Sequence, residues 1–119
     1  SSAASDVYKR QERLDLPFRQ AIFLECSILS QGDGYVVANA GLKALGMDHG
    51  DPIWPEGQVL FCSDEHITLV PGPEQAVQLD QRIRLVPAHL DPTVARHETM
   101  WLVDGTEVVD EFPVDLRHW

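Results

Sequence analysis

A histidine and an aspartate two positions apart are the side chains best suited to chemistry in this sequence. His89 and Asp91 lie in the proline-bounded stretch 86–93, which follows alternating apolar and charged residues at 81–85 and is predicted to be extended. In an extended segment residues i and i+2 project from the same face, so both groups would point at one spot. An imidazole and a carboxylate can hold a divalent metal ion there, with coordination positions left open for water or substrate. The alternative is a solvated polar turn held by two prolines.

A second group of ionisable side chains occupies the predicted turn Ser63-Asp64-Glu65-His66. In the functional interpretation His66 acts as a catalytic base or supports a metal ligand, and the neighbouring Glu65 carboxylate orients its ring through a hydrogen bond. The alternative is a polar hairpin turn. A serine-nucleophile triad is not supported, because Ser63 does not lie in a GxSxG elbow.

Two other metal-ligand sets are compatible with the sequence. Asp48, His49 and Asp51 share one loop, but adjacent residues on a glycine-containing loop are more often solvated. The histidine–aspartate pair with a later histidine would resemble the facial triad of non-haem iron oxygenases. We do not favour that set, because His97 is too close in the chain to come from an adjacent strand and His118 follows the last predicted strand.

Composition limits the classes of partner. The 119 residues suffice for one domain with its own core, and 19 acidic against 9 basic side chains give a formal net charge of −10. This charge repels phosphate backbones and anionic lipids, so we expect neither a nucleic-acid nor a membrane partner. No apolar run approaches the ~20 residues that span a bilayer. Cys26 and Cys62 suit neither a disulfide framework nor a CxxC zinc site, and buried reduced thiols indicate a cytoplasmic protein.

The first eleven residues, SSAASDVYKRQ, resemble translated sequencing-adapter read-through at the ends of environmental gene fragments. Because of this resemblance we exclude residues 1–11 from fold reasoning and expect the natural gene to continue upstream. The alternative is a disordered native tail. Residues 12–19 are interpreted as a connector, and residues 20–119 as one domain.

Short apolar stretches separated by turns predict β structure. The predicted strands are 21–30, 35–40, 58–62, 67–70, 81–85, 99–103 and 108–112. Segment 40–46 is either one helical turn or an irregular crossing, since periodicity cannot settle so short a run. The pattern predicts an all-β, antiparallel, barrel-like or Greek-key domain with one or two short helical turns.

Four stretches, taken in order and spacing, are similar to those of one family. They are Ala40-Gly41-Leu42-Lys43-Ala44-Leu45, Ser63-Asp64-Glu65-His66, Val86-Pro87-Ala88-His89-Leu90-Asp91-Pro92-Thr93-Val94 and Val114-Asp115-Leu116-Arg117. The chain resembles, over roughly residues 17–117, the C-terminal β-domain of the D-threonine aldolase and D-serine dehydratase family. These are pyridoxal-phosphate enzymes of the alanine-racemase fold type.

The resemblance implies a metal site and a missing domain. In the family an N-terminal β/α barrel carries the cofactor on a lysine, and the positions matching His89 and Asp91 hold a divalent ion beside it. Dehydratase members have His-x-Cys here and aldolase members His-x-Asp, so Asp91 indicates an aldolase. A carboxylate favours Mn²⁺ or Mg²⁺, with Co²⁺ or Zn²⁺ as further possibilities. Neither Lys9 nor Lys43 matches the cofactor lysine, so no cofactor-binding residue is expected in this chain.

Two positions depart from the family pattern. Asn39 stands where an aspartate is common, and Ile67 where a glycine is usual. Neither residue is a proposed ligand, but both leave the finer role of their loops open.

The implied function is that of a lyase. The resemblance implies cleavage of the Cα–Cβ bond of 3-hydroxy D-amino acids to glycine and an aldehyde by the full-length protein, with this fragment alone inactive. The implied partners are the protein's own N-terminal barrel, a second subunit in a homodimer and a small D-amino-acid substrate. The alternatives are a D-serine dehydratase-type ammonia-lyase and a non-catalytic β-module that mediates contacts. An apolar surface should face the missing barrel, and Trp54, Trp101 and Trp119 are candidates for it, although core placement is also open.

Overall fold

The computed structural model describes residues 19–115 and residue 117. The predictions for the leader 1–11, for connector residues 12–18 and for His118 and Trp119 therefore lie outside the described residues.

Seven strands and one short helix make up the described part of the chain. They are β1 (Leu24–Gln31), β2 (Val36–Ala38), β3 (Gly57–Cys62), β4 (Ile67–Pro71), β5 (Arg82–Leu85), α1 (Leu90–Val94), β6 (Thr99–Asp104) and β7 (Glu107–Pro113). Five strands form one antiparallel sheet in the order β3-β4-β2-β1-β5. The sheet curls into a half-barrel, which confirms the predicted all-β, barrel-like class. Strands β6 and β7 form a separate two-stranded hairpin.

The sheet forms because alternate residues of its strands are apolar and point to one side. Ile67 and Leu69 of β4 are buried, as are Ile83 and Leu85 of β5. The first hairpin turns at Gly34, whose positive φ of 83° is a conformation that glycine adopts without steric cost. The core cluster is completed from the other elements by Cys26, Ile28, Val36, Ala38, Ala40, Leu45 and Trp54. Each fully buried aliphatic side chain stabilises the fold by about 1.5–3 kcal/mol.

The prediction of an extended segment through 86–93 is wrong from Leu90 onward. Val86 still pairs with Ile53, and His89 keeps an extended backbone, but α1 begins at the next residue. Pro92 lies in the first turn of this helix, where its missing N–H removes no intrahelical hydrogen bond. The stretch after the histidine is therefore a short helix that contains Pro92, and not a strand bounded by prolines.

Segment 40–46 consists of turns and contains no helix, so the irregular crossing is the correct alternative. Its backbone is held against the turn between β3 and β4, since the Leu42 N–H donates to the Ser63 carbonyl and the Lys43 N–H to the Asp64 carbonyl. This contact fixes one end of the loop that continues to Asp48. None of the helices in the described part of the chain has the length and apolar character needed to cross a membrane.

Candidate metal centre

His89 lies at the junction between the end of the sheet and α1. It is the residue immediately before the helix, and only 8% of its surface is exposed. Its backbone pairs with that of Gly46 in an isolated antiparallel bridge. Thr93 closes this junction: its hydroxyl donates to the His89 carbonyl over 2.7 Å and accepts from the Gly46 N–H over 2.8 Å. The loop after Gly46 is thereby attached to the histidine.

Glycine is required at position 46 by close approach. A Cβ atom there would lie 2.3 Å from Cγ of Pro92 and 3.2 Å from the His89 carbonyl oxygen. Any larger residue would push the loop away from α1 and from the histidine. The sequence thus permits the next loop residues to reach the His89 side chain.

The His89 ring meets the carboxylate of Asp48. Nδ1 lies 2.9 Å from Oδ1 and 2.7 Å from Oδ2, so the Nδ1–H donates to a carboxylate that accepts it. The hydrogen bond from His89 is the main cause that lowers the pKa of Asp48 below its ordinary value, which keeps the carboxylate ionised at neutral pH. Nε2 of His89 is buried and has no hydrogen-bond partner among the described residues. One ring nitrogen is therefore hydrogen-bonded, and the other has no partner among the described residues.

His49 is the third member of the cluster. Its ring centroid is 4.3 Å from that of His89 in an edge-on arrangement, and its Nε2 lies 3.6 Å from Oδ2 of Asp48. Asp48, His49 and His89 each offer a ligand atom, and these atoms all lie within 4.8 Å of one another. Two imidazoles and one carboxylate form a donor set that suits divalent transition-metal ions.

Asp91 does not belong to this three-residue cluster. It lies exposed in the first turn of α1, one residue after the helix begins. Helical residues two positions apart do not face each other, so the same-face argument made for an extended segment does not hold for Asp91. The assignment of His89 and Asp91 as a ligand pair stays a prediction.

Glu65 and His66 are exposed in the turn between β3 and β4. The Glu65 carboxylate pairs with the Lys43 ammonium, and the hydrogen bond from Lys43 is the main cause that lowers the pKa of Glu65. The backbone carbonyl of His66 accepts from the Ser63 N–H over 2.8 Å, which closes the turn. The proton-transfer role of His66 and the orienting role of Glu65 stay predictions.

Asp48 and His49 are the residues that sequence reasoning set aside as solvated. The signal available for them was their adjacency on a loop beside Gly46 and Gly50. What brings them to His89 is the bridge between Gly46 and His89, which joins positions 43 residues apart and has no local sequence pattern.

Comparison with known proteins identifies the family. A family model described as a putative serine dehydratase domain matches residues 21–103. The chain belongs to this serine dehydratase domain family. The match includes every member of the cluster and both predicted ligands.

Named relatives of this family domain are aldolases. The chain is 33% identical over 104 residues to the 3-hydroxy-D-aspartate aldolase of Paracoccus denitrificans, covering 84% of this chain and 27% of the relative. It is 32% identical over 108 residues to the D-threonine aldolase of an Arthrobacter species, covering 86% of this chain and 28% of the relative. The crystal structure of D-threonine aldolase from Filomicrobium marinum superposes with a TM-score of 0.78 at 32% identity, covering 87% of this chain and 30% of that one. The chain thus spans less than a third of the length of these relatives.

Proposed function

We propose that this chain is the metal-binding β-domain of a pyridoxal-phosphate-dependent, D-threonine aldolase-like lyase of the cytoplasm. The full-length protein would cleave the Cα–Cβ bond of a 3-hydroxy D-amino acid to give glycine and an aldehyde. The observation that carries the proposal is the state of His89, which is buried, bonded through Nδ1 to Asp48 and unpartnered at Nε2. This state occurs in a chain about one-third identical to two aldolases.

The residues present fit a divalent cation. A buried imidazole nitrogen without a partner is costly unless a ligand satisfies it, and a metal ion bound there would do so. His89 would supply this nitrogen, and Asp91 is the carboxylate ligand that the resemblance implies. His49 and Asp48 lie close enough to His89 to join or support the same site. The oxygen ligands favour Mn²⁺ or Mg²⁺ over softer ions, with Co²⁺ or Zn²⁺ as further possibilities.

When bound, such an ion lowers the pKa of a coordinated hydroxyl group. The protein's own residues would then act in three ways. The hydrogen bond to Asp48 would fix the orientation of the His89 ring, and the cluster would bind the 3-hydroxy group of the substrate. A nearby imidazole would accept the proton of that hydroxyl group. His49 and His66 are the candidates for that proton acceptor, and His49 is the one beside His89.

The described residues do not fit a covalent pyridoxal phosphate site. The described lysine, Lys43, is exposed and paired with Glu65, so its ammonium is occupied by a surface ion pair. We therefore assign the cofactor lysine to the N-terminal barrel that this proposal places in the full-length protein.

The hairpin of β6 and β7 is the surface that we assign to contact with that barrel. A two-stranded hairpin alone is marginally stable, yet this one exposes a row of large apolar side chains. They are Trp101, Leu102, Val103, Val108, Val109 and Phe112. A cleft of about 760 Å³ separates the hairpin from the start of β1 and from β5. Apolar area of this extent is rare on an isolated domain, and more than two-thirds of the length of the relatives lies outside this chain. The second subunit of a homodimer would occupy a further part of the surface.

A dehydratase is the second candidate, because the matching family model is described as a serine dehydratase domain. In that reaction hydroxide would leave Cβ instead of the Cα–Cβ bond breaking. The carboxylate at position 91 and the aldolase names of the relatives favour cleavage of the carbon–carbon bond.

The test is an assay of the full-length protein, after recovery of the upstream part of the gene. With pyridoxal phosphate and Mn²⁺, D-threonine should yield glycine and acetaldehyde, and His89→Ala should abolish this activity. Pyruvate and ammonia from D-serine, without aldehyde from D-threonine, would identify the dehydratase instead. The 119-residue chain alone should turn over neither substrate, and aldolase activity of this fragment would contradict the assignment of the cofactor to the barrel.

A further inference from the structure

The side chain that His89 contacts comes from a position 41 residues earlier in the chain. Asp48 places both carboxylate oxygens within 3 Å of Nδ1, at 2.9 Å and 2.7 Å. The opposite nitrogen, Nε2, is buried and unpartnered among the described residues. The two nitrogens of the ring thus differ: Nδ1 faces a hydrogen-bond acceptor, and Nε2 faces none among the described residues.

A carboxylate accepts hydrogen bonds and does not donate them when ionised. The nitrogen that faces it must therefore carry the proton, which leaves the lone pair of a neutral ring on Nε2. A metal ion binds the nitrogen that has the lone pair. We propose that Asp48 is a positioning residue, which holds His89 in the Nδ1–H tautomer and thereby presents Nε2 as the ligand atom.

The backbone fixes Asp48 relative to the ring. The loop is attached two residues before Asp48 by the bridge between Gly46 and His89 and by the Thr93 hydroxyl, which bonds to both of these residues. A carboxylate on a free surface loop would order a ring poorly. Here the two groups share one hydrogen-bonded junction, so the orientation of the imidazole is set before any ligand arrives.

The cluster geometry also allows a competing arrangement, which is less favourable. Asp48 could itself be a ligand, together with His49 and with Nδ1 of His89. In that arrangement Nδ1 would lose its proton on metal binding and Nε2 would have to carry one while buried without an acceptor. A buried donor without an acceptor is unfavourable by about 1–3 kcal/mol, so the positioning role is preferred.

This inference rests on the proposed function for the identity of the ligand, but the tautomer can be measured without any metal. With ¹⁵N-labelled histidine in the purified 119-residue chain, long-range ¹H–¹⁵N spectra report which nitrogen of His89 carries the proton. We expect the proton on Nδ1 in the metal-free chain. On titration with Zn²⁺, a diamagnetic probe, Nε2 should show the coordination shift while Nδ1 keeps its proton. Loss of the Nδ1 proton on Zn²⁺ addition would overturn the positioning role and support Asp48 as a ligand.

Substitution of Asp48 supplies the second arm. Asp48→Ala, which removes every side-chain acceptor, should disturb the Nδ1–H tautomer and weaken Mn²⁺ binding about 10- to 100-fold, the usual loss for removal of such a supporting group. Asp48→Asn, whose amide oxygen still accepts a hydrogen bond, should recover part of the affinity. Asp51→Ala is the matched control, because it removes the same charge from the same loop outside the cluster, and it should leave the tautomer and the affinity unchanged.

The outcomes separate the two claims. An unchanged tautomer in Asp48→Ala, or a changed tautomer with unchanged Mn²⁺ affinity, contradicts the positioning role. A wild-type chain that shows the Nδ1–H tautomer but binds neither Mn²⁺ nor Zn²⁺ contradicts the metal-binding function, and leaves the control of the tautomer by Asp48 supported.

Discussion

At the scale of single residues, the two ring nitrogens of His89 have different surroundings: one faces a carboxylate, and the other has no partner among the described residues. Nδ1 of His89 is hydrogen-bonded to Asp48, and Nε2 is buried without a partner in the part of the chain that the structure describes. The pairing of His89 with Asp91, by contrast, rests on the family resemblance, because Asp91 lies in α1 and outside the cluster. Substitution at position 91 can therefore test whether Asp91 is a ligand without changing His89.

Asp91→Cys should change the metal preference of the chain if Asp91 is a ligand. A thiolate is softer than a carboxylate and selects Zn²⁺ over Mn²⁺. Competition between these two ions, followed by metal analysis of the purified protein, should show a shift towards Zn²⁺. Asp51→Cys is the control, because it replaces another exposed aspartate with a thiol at a position outside the cluster. Equal Zn²⁺ to Mn²⁺ ratios in wild type and Asp91→Cys would remove Asp91 from the ligand set.

The two cysteines should be chemically inert in the folded protein. Burial is the main cause that raises the pKa of Cys26 to about 12 and of Cys62 to about 11, and the charges of Glu25 and Asp51 add to it. At pH 8 both are thiols, and the thiolate is the reactive form. Iodoacetamide should label the native chain slowly and the urea-unfolded chain rapidly. Labelling at equal rates in both states would show that the thiols are not protected.

The same shifts fix the sign of a pH effect on stability. An unfolded thiol ionises near pH 9, whereas the folded thiols retain their protons to higher pH. The native state therefore binds more protons between about pH 9 and pH 12, so this contribution to the free energy of unfolding is complete below pH 9 and is lost as the pH rises through that range.

At the scale of elements, the site depends on the junction between the 40–48 segment and α1. The Thr93 hydroxyl is the common partner of both: it accepts from the Gly46 N–H and donates to the His89 carbonyl. Because Gly46 and Thr93 are buried, loss of the hydroxyl leaves the Gly46 N–H without this acceptor, whereas the His89 carbonyl, as the N-cap carbonyl of α1, still accepts the first intrahelical bond.

Thr93→Val removes this hydroxyl at nearly constant volume. The buried Gly46 N–H left unpaired should cost about 1–3 kcal/mol of the free energy of unfolding, measured by urea denaturation. Mn²⁺ affinity should fall as well, since the loop that carries Asp48 is released. Thr93→Ser keeps the hydroxyl and should preserve the affinity. Similar affinities for the valine and serine variants would show that the junction does not control the site.

The sequence predicts the sheet better than the site. Alternation along 67–70 and 81–85, and turns rich in glycine or charge, predict β4, β5 and the final hairpin to within a few residues. Helix α1 was missed because a five-residue helix is too short to show a periodic pattern. In addition, proline occurs both in turns and in the first turn of a helix, so Pro92 did not distinguish the two. His89 could be found from its type and surroundings. Asp48 could not, because its contact with His89 is made by a long-range backbone bridge.

At the scale of the whole molecule, the half-barrel encloses a buried core, whereas the hairpin of β6 and β7 exposes large apolar side chains. The half-barrel encloses a core that contains Trp54, which excludes this tryptophan from the barrel-facing surface. Trp101 is 59% exposed on the hairpin of β6 and β7, as the proposed contact with an N-terminal barrel requires. Trp119 lies outside the described residues.

Burial of Trp101 in the full-length protein would test this contact. In a background where Trp54 and Trp119 are replaced by phenylalanine, Trp101 fluorescence in the 119-residue chain should be readily quenched by acrylamide. In the full-length protein with the same substitutions and with any upstream tryptophan also replaced, quenching should fall severalfold, because the barrel would cover the hairpin. Equal quenching in both proteins would place the barrel on another surface.

Calorimetric titration of the 119-residue chain with Mn²⁺ measures whether His89 is a ligand for a divalent ion. We expect one site per chain in wild type, loss of that site in His89→Ala, and retention in His66→Ala, where an exposed histidine outside the cluster is removed. Identical isotherms for wild type and His89→Ala would show that His89 is not a ligand.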